Sequence, residues 1–183
     1  VYLQVRGRPE ARHYLEKGIE YTSKAIALDD TFLNGAGNQL FNFGKLMPIA
    51  DSEKEIQDIL GRANSIFNNC VKNNDKYQLC YINYLILNAK AAQRTLVAGG
   101  DPQPRLKLAL NALAAAQKLG GSFIDLEQHA AMSHLVEAAD QVRHKRNPES
   151  ALTSFDAALG RCLGIAAQDA LCRTLAAKAE RVR

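Results

Sequence analysis

The stretch Cys70-Val-Lys-Asn-Asn-Asp-Lys-Tyr77 decides the fold, because its pattern recurs along the chain. The other clear copies are Ala25-Ile-Ala-Leu-Asp-Asp-Thr-Phe32 and Ala116-Gln-Lys-Leu-Gly-Gly-Ser-Phe123. Each copy runs from a small residue through three helix formers, two helix breakers and one polar residue to an aromatic residue. The small residues lie 45 and 46 residues apart, and another 46 residues lead to Cys162, which begins a weaker copy. The sequence therefore predicts a repeat protein.

The repeat also extends towards the N-terminus of each copy. The residues seven and three positions before each small residue are again small or apolar, and they are Gly18, Ala63, Ala109 and Phe155, then Thr22, Phe67, Leu113 and Leu159. Further upstream, Asp101-Pro102 and Asn147-Pro148 combine an N-cap side chain with a proline at the first helical position. Arg8-Pro9 and Asp51-Ser52 take the same place in the earlier copies.

Composition favours helices throughout the chain. The 183 residues include 28 Ala and 23 Leu but only 22 Val, Ile and Thr together, a balance that argues against a sheet. With 47% apolar and 23% charged residues, the chain is typical of neither a disordered nor a membrane protein. No apolar run approaches the roughly 20 residues that span a bilayer, and no secretory leader is visible.

Each repeat unit is predicted to contain two helices. The expected helices are 9–29, 31–47, 52–74, 76–98, 102–119, 122–146, 148–164 and 167–182. They form one repeat domain with units 1–30, 31–75, 76–121 and 122–167 and a half unit 168–183. Helix 31–47 is the weakest, because Gly35, Gly37 and Gly44 each cost about 1 kcal/mol relative to Ala. Both ends of the chain fall within a unit, so we expect a fragment of a longer array.

The repeat positions resemble a known family. Ala63, Phe67, Cys70 and Asp75 match the small, aromatic, small and breaker positions in the second helix of a tetratricopeptide repeat. The same positions in the next unit hold Ala109, Leu113, Ala116 and Gly121. The period near 46 exceeds the family's 34, so the helices are expected to be longer. The resemblance implies an all-α, right-handed α-α superhelix, a tetratricopeptide-like solenoid of about four helix pairs.

A narrower resemblance lies in the bridge Gly99-Gly100-Asp101-Pro102-Gln103-Pro104 between two Ala/Leu-rich helices. It is similar to linkers in the tetratricopeptide-like arrays that follow bacterial serine/threonine protein kinases. That likeness implies a regulatory or docking region. The chain itself has no glycine-rich ATP loop, no His-Arg-Asp loop and no Asp-Phe-Gly, so no catalytic residue is expected here.

The resemblance also implies a binding groove. First helices of such arrays line the concave face, where Asn and Lys side chains grip peptides. Ten of the twelve asparagines precede residue 100, and Asn34, Asn38 and Asn42 share one helical stripe near Lys45. The implied groove residues are Asn34, Asn38, Asn42, Lys45, Gln78, Asn83, Asp125, Gln128 and His129. An ordinary polar face explains them equally well.

Alternative sites are less favoured. Asn34-Gly35-Ala36-Gly37-Asn38 contains Gly-x-Gly, but it follows no strand, so close helix packing is the better interpretation than phosphate binding. His129 and His134 are five residues apart, which separates them by about 140° on a helix and argues against a shared metal. The basic run Arg143-His144-Lys145-Arg146 closes a predicted helix, where cations offset the helix dipole.

The four cysteines, Cys70, Cys80, Cys162 and Cys172, show no CxxC pair and no disulfide-framework spacing. They are predicted to be small buried residues of a reducing compartment, which favours a cytoplasmic location. Cys162 and Cys172 as redox partners are the less favoured alternative, with Arg161 and Arg173 beside them.

These observations together predict a non-catalytic interaction module that binds a protein or peptide, without a cofactor, metal or membrane. The net charge of +4 is scattered and not collected in a stripe, so nucleic-acid binding is the weaker alternative. A free-standing adaptor is a further alternative to the kinase attachment. An enzyme is disfavoured, since no acid, base or nucleophile pair has workable spacing. We also expect self-association through the terminal repeats.

Overall fold

The structure, a computed structural model, describes residues 10–121 and 123–183, and these residues form helices without any strand. The helices are α1 (Glu10–Leu28), α2 (Leu33–Leu46), α3 (Glu53–Asn73), α4 (Gln78–Val97), α5 (Gln103–Lys118), α6 (Ile124–Arg143), α7 (Glu149–Ile165) and α8 (Ala170–Ala179). A 3-10 turn, Met47–Ile49, follows α2. The predicted all-α class is confirmed, and these helix bounds lie within three residues of the expected ones. Predictions for residues 1–9, including the Arg8-Pro9 cap, fall outside the described residues.

The chain divides into two compact units, and the boundary between Leu87 and Asn88 lies within α4. In the first unit, α1 packs on α2 and α2 packs on α3. In the second unit, α6 packs against α5, α7 and α8, and α8 also contacts α7. No helix in the described part of the chain is long and apolar enough to span a membrane.

The repeat positions form the core of both units. Ala63, Ala109 and Phe155, which are equivalent in the repeat, are fully buried. The small residues that begin the quoted pattern, Cys70, Ala116 and Cys162, are exposed by 1% or less. In the first copy Gly18 and Ala25 are only partly buried. From the second copy onward, the interval near 46 residues therefore marks buried positions.

The predicted N-cap of α3 is confirmed, whereas the N-caps of α5 and α7 are Pro102 and Pro148, one residue after the predicted Asp101 and Asn147. The Ser52 side chain accepts a hydrogen bond from the Glu55 amide at 3.2 Å. Asp101 accepts the Gln103 amide and Asn147 accepts the Glu149 amide, both at 2.9 Å. These side chains satisfy amides that have no partner within their own helix.

Close packing explains the glycines of α2. Gly35, Ala36 and Gly37 are buried inside a continuous helix, as the packing interpretation predicted. A Cβ added to Gly44 would lie 3.1 Å from Cγ2 of Ile86 on α4, which is tighter than most side-chain contacts. The glycines therefore lower the helix propensity of α2, and Gly44 allows the neighbouring helix to approach.

The prediction of four unpaired cysteines is wrong, because all four form disulfides. Cys70 bonds to Cys80, and Cys162 bonds to Cys172. Each bond joins the last turns of one helix to the first turn of the next, with Cα atoms 6.6 and 6.5 Å apart. A helix-turn-helix junction brings these positions within bonding range. Both pairs are ten residues apart in the sequence, the spacing that one such junction spans.

Candidate binding groove

One face of α6 supplies the floor of a groove in the second unit. Met132, Leu135, Val136 and Ala139 follow the i, i+3, i+4, i+7 spacing that places side chains on one side of a helix. Met132, Leu135 and Val136 are 4–7% exposed, so most of their surface is packed against neighbouring helices.

Two further helices form the walls. Gln93, Leu96 and Val97 come from the end of α4, and Leu175 and Lys178 come from α8, with Arg181 and Val182 just beyond it. Together these residues enclose a groove of about 280 Å³. At its rim Val97 is 83% exposed. The groove therefore offers apolar surface to a ligand mainly at its rim.

The charged side chains that line this groove are all positive. Lys178 and Arg181 line it, and none of its lining residues is acidic. Neither cation forms a side-chain hydrogen bond or ion pair with the rest of the described chain. The cations thus remain available to a carboxylate on a ligand, next to apolar surface where water screens charge less than in bulk.

A larger groove in the first unit has its charges already paired. It measures about 520 Å³ and is lined by residues that include Glu16, Glu20, Glu55 and Asp58. Arg12 pairs with Glu16 and Glu55, and Arg62 lies 3.5 Å from Asp58. Hydrogen bonds from Lys17 and Lys24 lower the pKa of Glu20 to about 2. Because these carboxylates have partners within the chain, this groove attracts an external cation less strongly.

Two of the implied groove residues of the first unit, Asn34 and Asn83, make hydrogen bonds between neighbouring segments. Asn34 accepts a hydrogen bond from the Tyr77 hydroxyl, and Asn83 donates to the Gly37 carbonyl at 2.9 Å. Burial raises the pKa of Tyr77. Asn38 is exposed and Gln78 is partly buried. The structure therefore brings Asn34 and Asn83 into contacts between these segments.

Asn42 and Lys45 do not extend these contacts as a common binding stripe. A Cβ on Gly18 would lie 2.8 Å from the Asn42 side chain, so Asn42 faces α1. The Lys45 ammonium lies 4.8 Å from the centre of the Phe41 ring, a cation–π contact on its own helix.

In the second unit, the implied residues lie at the start of α6. Asp125 is exposed, but Gln128 and His129 are only 8% and 2% exposed. The His129 Nδ1 lies 2.8 Å from the Asp125 carbonyl oxygen. The helix α6 packs against three other helices. Polar residues that would face solvent if α6 had a single neighbour are therefore buried.

The groove residues that sequence reasoning missed are mainly Leu135, Lys178 and Arg181. The apolar stripe of α6 was visible in the sequence, but such a stripe usually marks a core. Lys178 and Arg181 stand three residues apart near the end of the last predicted helix, an ordinary spacing for a solvated face. Only the tertiary structure shows that the two features adjoin.

The basic run at the end of α6 makes contacts that its helix-end interpretation did not name. Arg143 donates hydrogen bonds to the carbonyls of Gly99 and Gly100, just beyond the end of α4. Arg146 lies 2.8 Å from the Asp140 carboxylate, which is 1% exposed and also accepts from Gln103 at 2.7 Å. These contacts hold the end of α6 against the start of α5.

The remaining candidate metal ligands make contacts within the chain. His134 lies 3.4 Å from Glu137, and His129 is buried as described above. The ligand atoms of Cys162, Asp169 and Cys172 lie within 4.8 Å of one another, but the two sulfurs are bonded. Asp169 accepts the Cys172 amide at 2.9 Å and so caps α8.

Comparisons with known proteins add no relative. The chain matches no protein-family model, no curated protein and no solved structure.

Proposed function

We propose that this chain is a non-catalytic interaction module that binds a protein or peptide segment in the groove between α4, α6 and α8. One observation carries the proposal: the groove has an apolar floor, and beside it lie two cations, Lys178 and Arg181, that have no partner within the described chain. A complementary segment has aliphatic side chains next to aspartate or glutamate. Binding of this kind uses shape and charge and breaks no covalent bond.

The wider context of the module is a proposal from sequence resemblance alone. A tetratricopeptide-like superhelix attached to a larger bacterial signalling protein, such as a serine/threonine kinase, would use the groove for docking or regulation. A free-standing adaptor would use it in the same way. Sequencing the flanking coding DNA separates these two, because a kinase catalytic domain upstream supports only the first.

The disulfides bear on location. The expected cytoplasmic location assumed four unpaired thiols, and the structure pairs all four. Disulfides persist mainly in oxidising compartments. The pairing therefore argues for maturation outside a reducing cytoplasm, which fractionation of the native host cells would test.

The groove is tested by selecting peptides from a random display library on the immobilised chain. We expect selected peptides to combine acidic and aliphatic residues, and their affinity to fall about tenfold in Lys178→Glu/Arg181→Glu, since attraction becomes repulsion. Lys107→Glu/Lys118→Glu is the matched control, because it reverses two exposed cations on α5, outside the groove. Equal affinity of the two double variants would contradict the proposed site.

A further inference from the structure

The two disulfides occupy equivalent positions in the repeat. Cys162 and Cys172 lie 92 residues, or two repeats, after Cys70 and Cys80. Cys80 and Cys172 are each the third residue of their helix. In the intervening repeat the same two positions hold Ala116 and Leu126, which are 0% and 1% exposed. An apolar pair thus fills this junction without a covalent bond, so the disulfides are not needed merely to occupy the space.

The two bonds hold very different helices. Cys70–Cys80 joins α3 and α4, which have 21 and 20 residues, and the ring of Phe67 on α3 stacks on that of Tyr84 with centroids 4.0 Å apart. Cys162–Cys172 holds α8, which has 10 residues and buries only Cys172, Leu175 and Ala179. Helices shorter than about 12–15 residues are marginal on their own. The bond at α8 therefore matters more for local order.

The binding groove depends on α8. This helix supplies Leu175 and Lys178, and Arg181 and Val182 follow directly after it. Both cations of the groove thus belong to the segment that Cys162–Cys172 fastens. If α8 separates from α6, the groove loses one wall and its whole positive edge.

We propose that Cys162–Cys172 is a thiol–disulfide exchange site that controls this groove; the claim about the groove rests on the proposed function. With the bond closed, α8 is held in place and the groove is complete. With the bond reduced, α8 loosens and affinity for an acidic, aliphatic peptide falls. The Cys70–Cys80 bond, between longer helices, has no such effect on α8.

The reductant is a dithiol. One of its thiolates attacks a sulfur of the protein disulfide, forms a mixed disulfide and releases the other cysteine as a thiolate, which takes a proton. The second thiolate of the reductant then displaces the remaining cysteine. Two electrons pass to the protein, which gains two thiols, and the reductant becomes a disulfide.

Access to the sulfurs is consistent with this role. Both cysteines are fully buried, so a reductant reaches them only when α8 opens. A short helix with three buried residues opens locally more easily than the long helices of the core. Exchange at this bond therefore reports on the stability of α8 itself.

The test uses two versions of the full chain that each retain one disulfide. Cys70→Ala/Cys80→Leu keeps the proposed switch, and Cys162→Ala/Cys172→Leu keeps the other bond; both insert the apolar pair found in the intervening repeat. Each version is studied oxidised and after reduction with dithiothreitol. The readouts are amide hydrogen exchange over residues 170–179, which needs no ligand, and affinity for a peptide chosen by display on the oxidised natural chain.

In the version that keeps Cys162–Cys172, we expect reduction to speed amide hydrogen exchange in α8 by tenfold or more, because the disulfide that closes the loop before α8 is lost. We also expect the affinity for the peptide to fall by about tenfold. In the other version we expect no change in α8 on reduction. Unchanged α8 exchange in the first version, or exchange that rises equally along the whole chain, overturns the proposal. If amide exchange in α8 becomes faster but the affinity for the peptide does not change, the proposal that this disulfide controls the groove is overturned. If no peptide binds the oxidised natural chain, the proposed function fails, while the exchange data still decide whether the bond holds α8.

Discussion

At the scale of single residues, Asp140 shows how a buried charge fixes a helix junction. Its carboxylate is 1% exposed, accepts a hydrogen bond from Gln103 and pairs with Arg146. His144 Nδ1 lies 3.2 Å from its other oxygen. Arg146 follows Lys145, whose φ of 54° places it in the left-handed region that glycine usually occupies. The ion pair to Asp140 therefore helps to hold a turn that the backbone alone disfavours.

Replacing this carboxylate should be costly. We expect Asp140→Ala to lower the free energy of unfolding by about 2 kcal/mol, because Arg146 and Gln103 lose the buried charged acceptor that they share. Urea unfolding followed by circular dichroism measures the change. Asp156→Ala is the control: Asp156 is 53% exposed and pairs with Arg183 at the surface, so its loss should change stability by less than 1 kcal/mol. Equal effects of the two variants would show that the Asp140 network stabilises nothing.

At the scale of helices, α2 forms against its own propensity because its small residues are used for packing. Gly44 permits the approach of α4, whereas Gly37 has only ordinary contacts, the nearest at 3.6 Å from a Cβ placed there. Gly61 in α3 has no neighbour within 4 Å of such a Cβ. Identical residues in helices therefore differ in what they contribute.

This difference predicts the sign of three substitutions. Gly61→Ala and Gly37→Ala should each raise the free energy of unfolding by about 0.5–1 kcal/mol, because alanine has the higher helix propensity and fits the space. Gly44→Ala should show no gain or a loss, because the buried Ile86 must move to make room. Thermal and urea unfolding of the three variants provide the measurement. If Gly44→Ala raised the free energy of unfolding as much as Gly61→Ala, the prediction would be wrong, because α2 and α4 would then make room for the added methyl group without cost.

At the scale of the whole molecule, we expect self-association to use an apolar stripe on α1. Tyr14, Tyr21 and Leu28 are spaced by seven residues and are 46%, 65% and 91% exposed. Apolar residues at this interval lie along one side of a helix and favour contact with a second helix. The stripe gives that expectation a definite surface within the described chain.

The oligomeric state tests this surface directly. We expect the sedimentation coefficient of the chain to rise with concentration, and Tyr21→Lys/Leu28→Lys to abolish that rise by placing charges on the stripe. Ile165→Lys, at another apolar residue that is 45% exposed, is the control and should still associate. A natural chain that sediments as a monomer at every concentration would contradict the prediction.

The sequence by itself determined the local structure of this protein. The start of α3 followed from Ser52, and the starts of α5 and α7 lie one residue beyond those predicted from Asp101 and Asn147. The buried positions followed from residues such as Ala63 and Ala109 that recur near every 46 residues. Capping and helical periodicity depend on residues that are close together in the sequence, so both can be predicted from the sequence alone.

The tertiary structure decided what depends on contacts between helices. It paired Cys162 with Cys172, buried Gln128 and His129 under three neighbours of α6, and set Lys178 beside Leu135 in one groove. Residue spacing predicts which side chains share a face of one helix, but not whether another helix covers that face. Burial, disulfide bonding and the availability of a charge all depend on that covering, so they become visible only when the helices are packed.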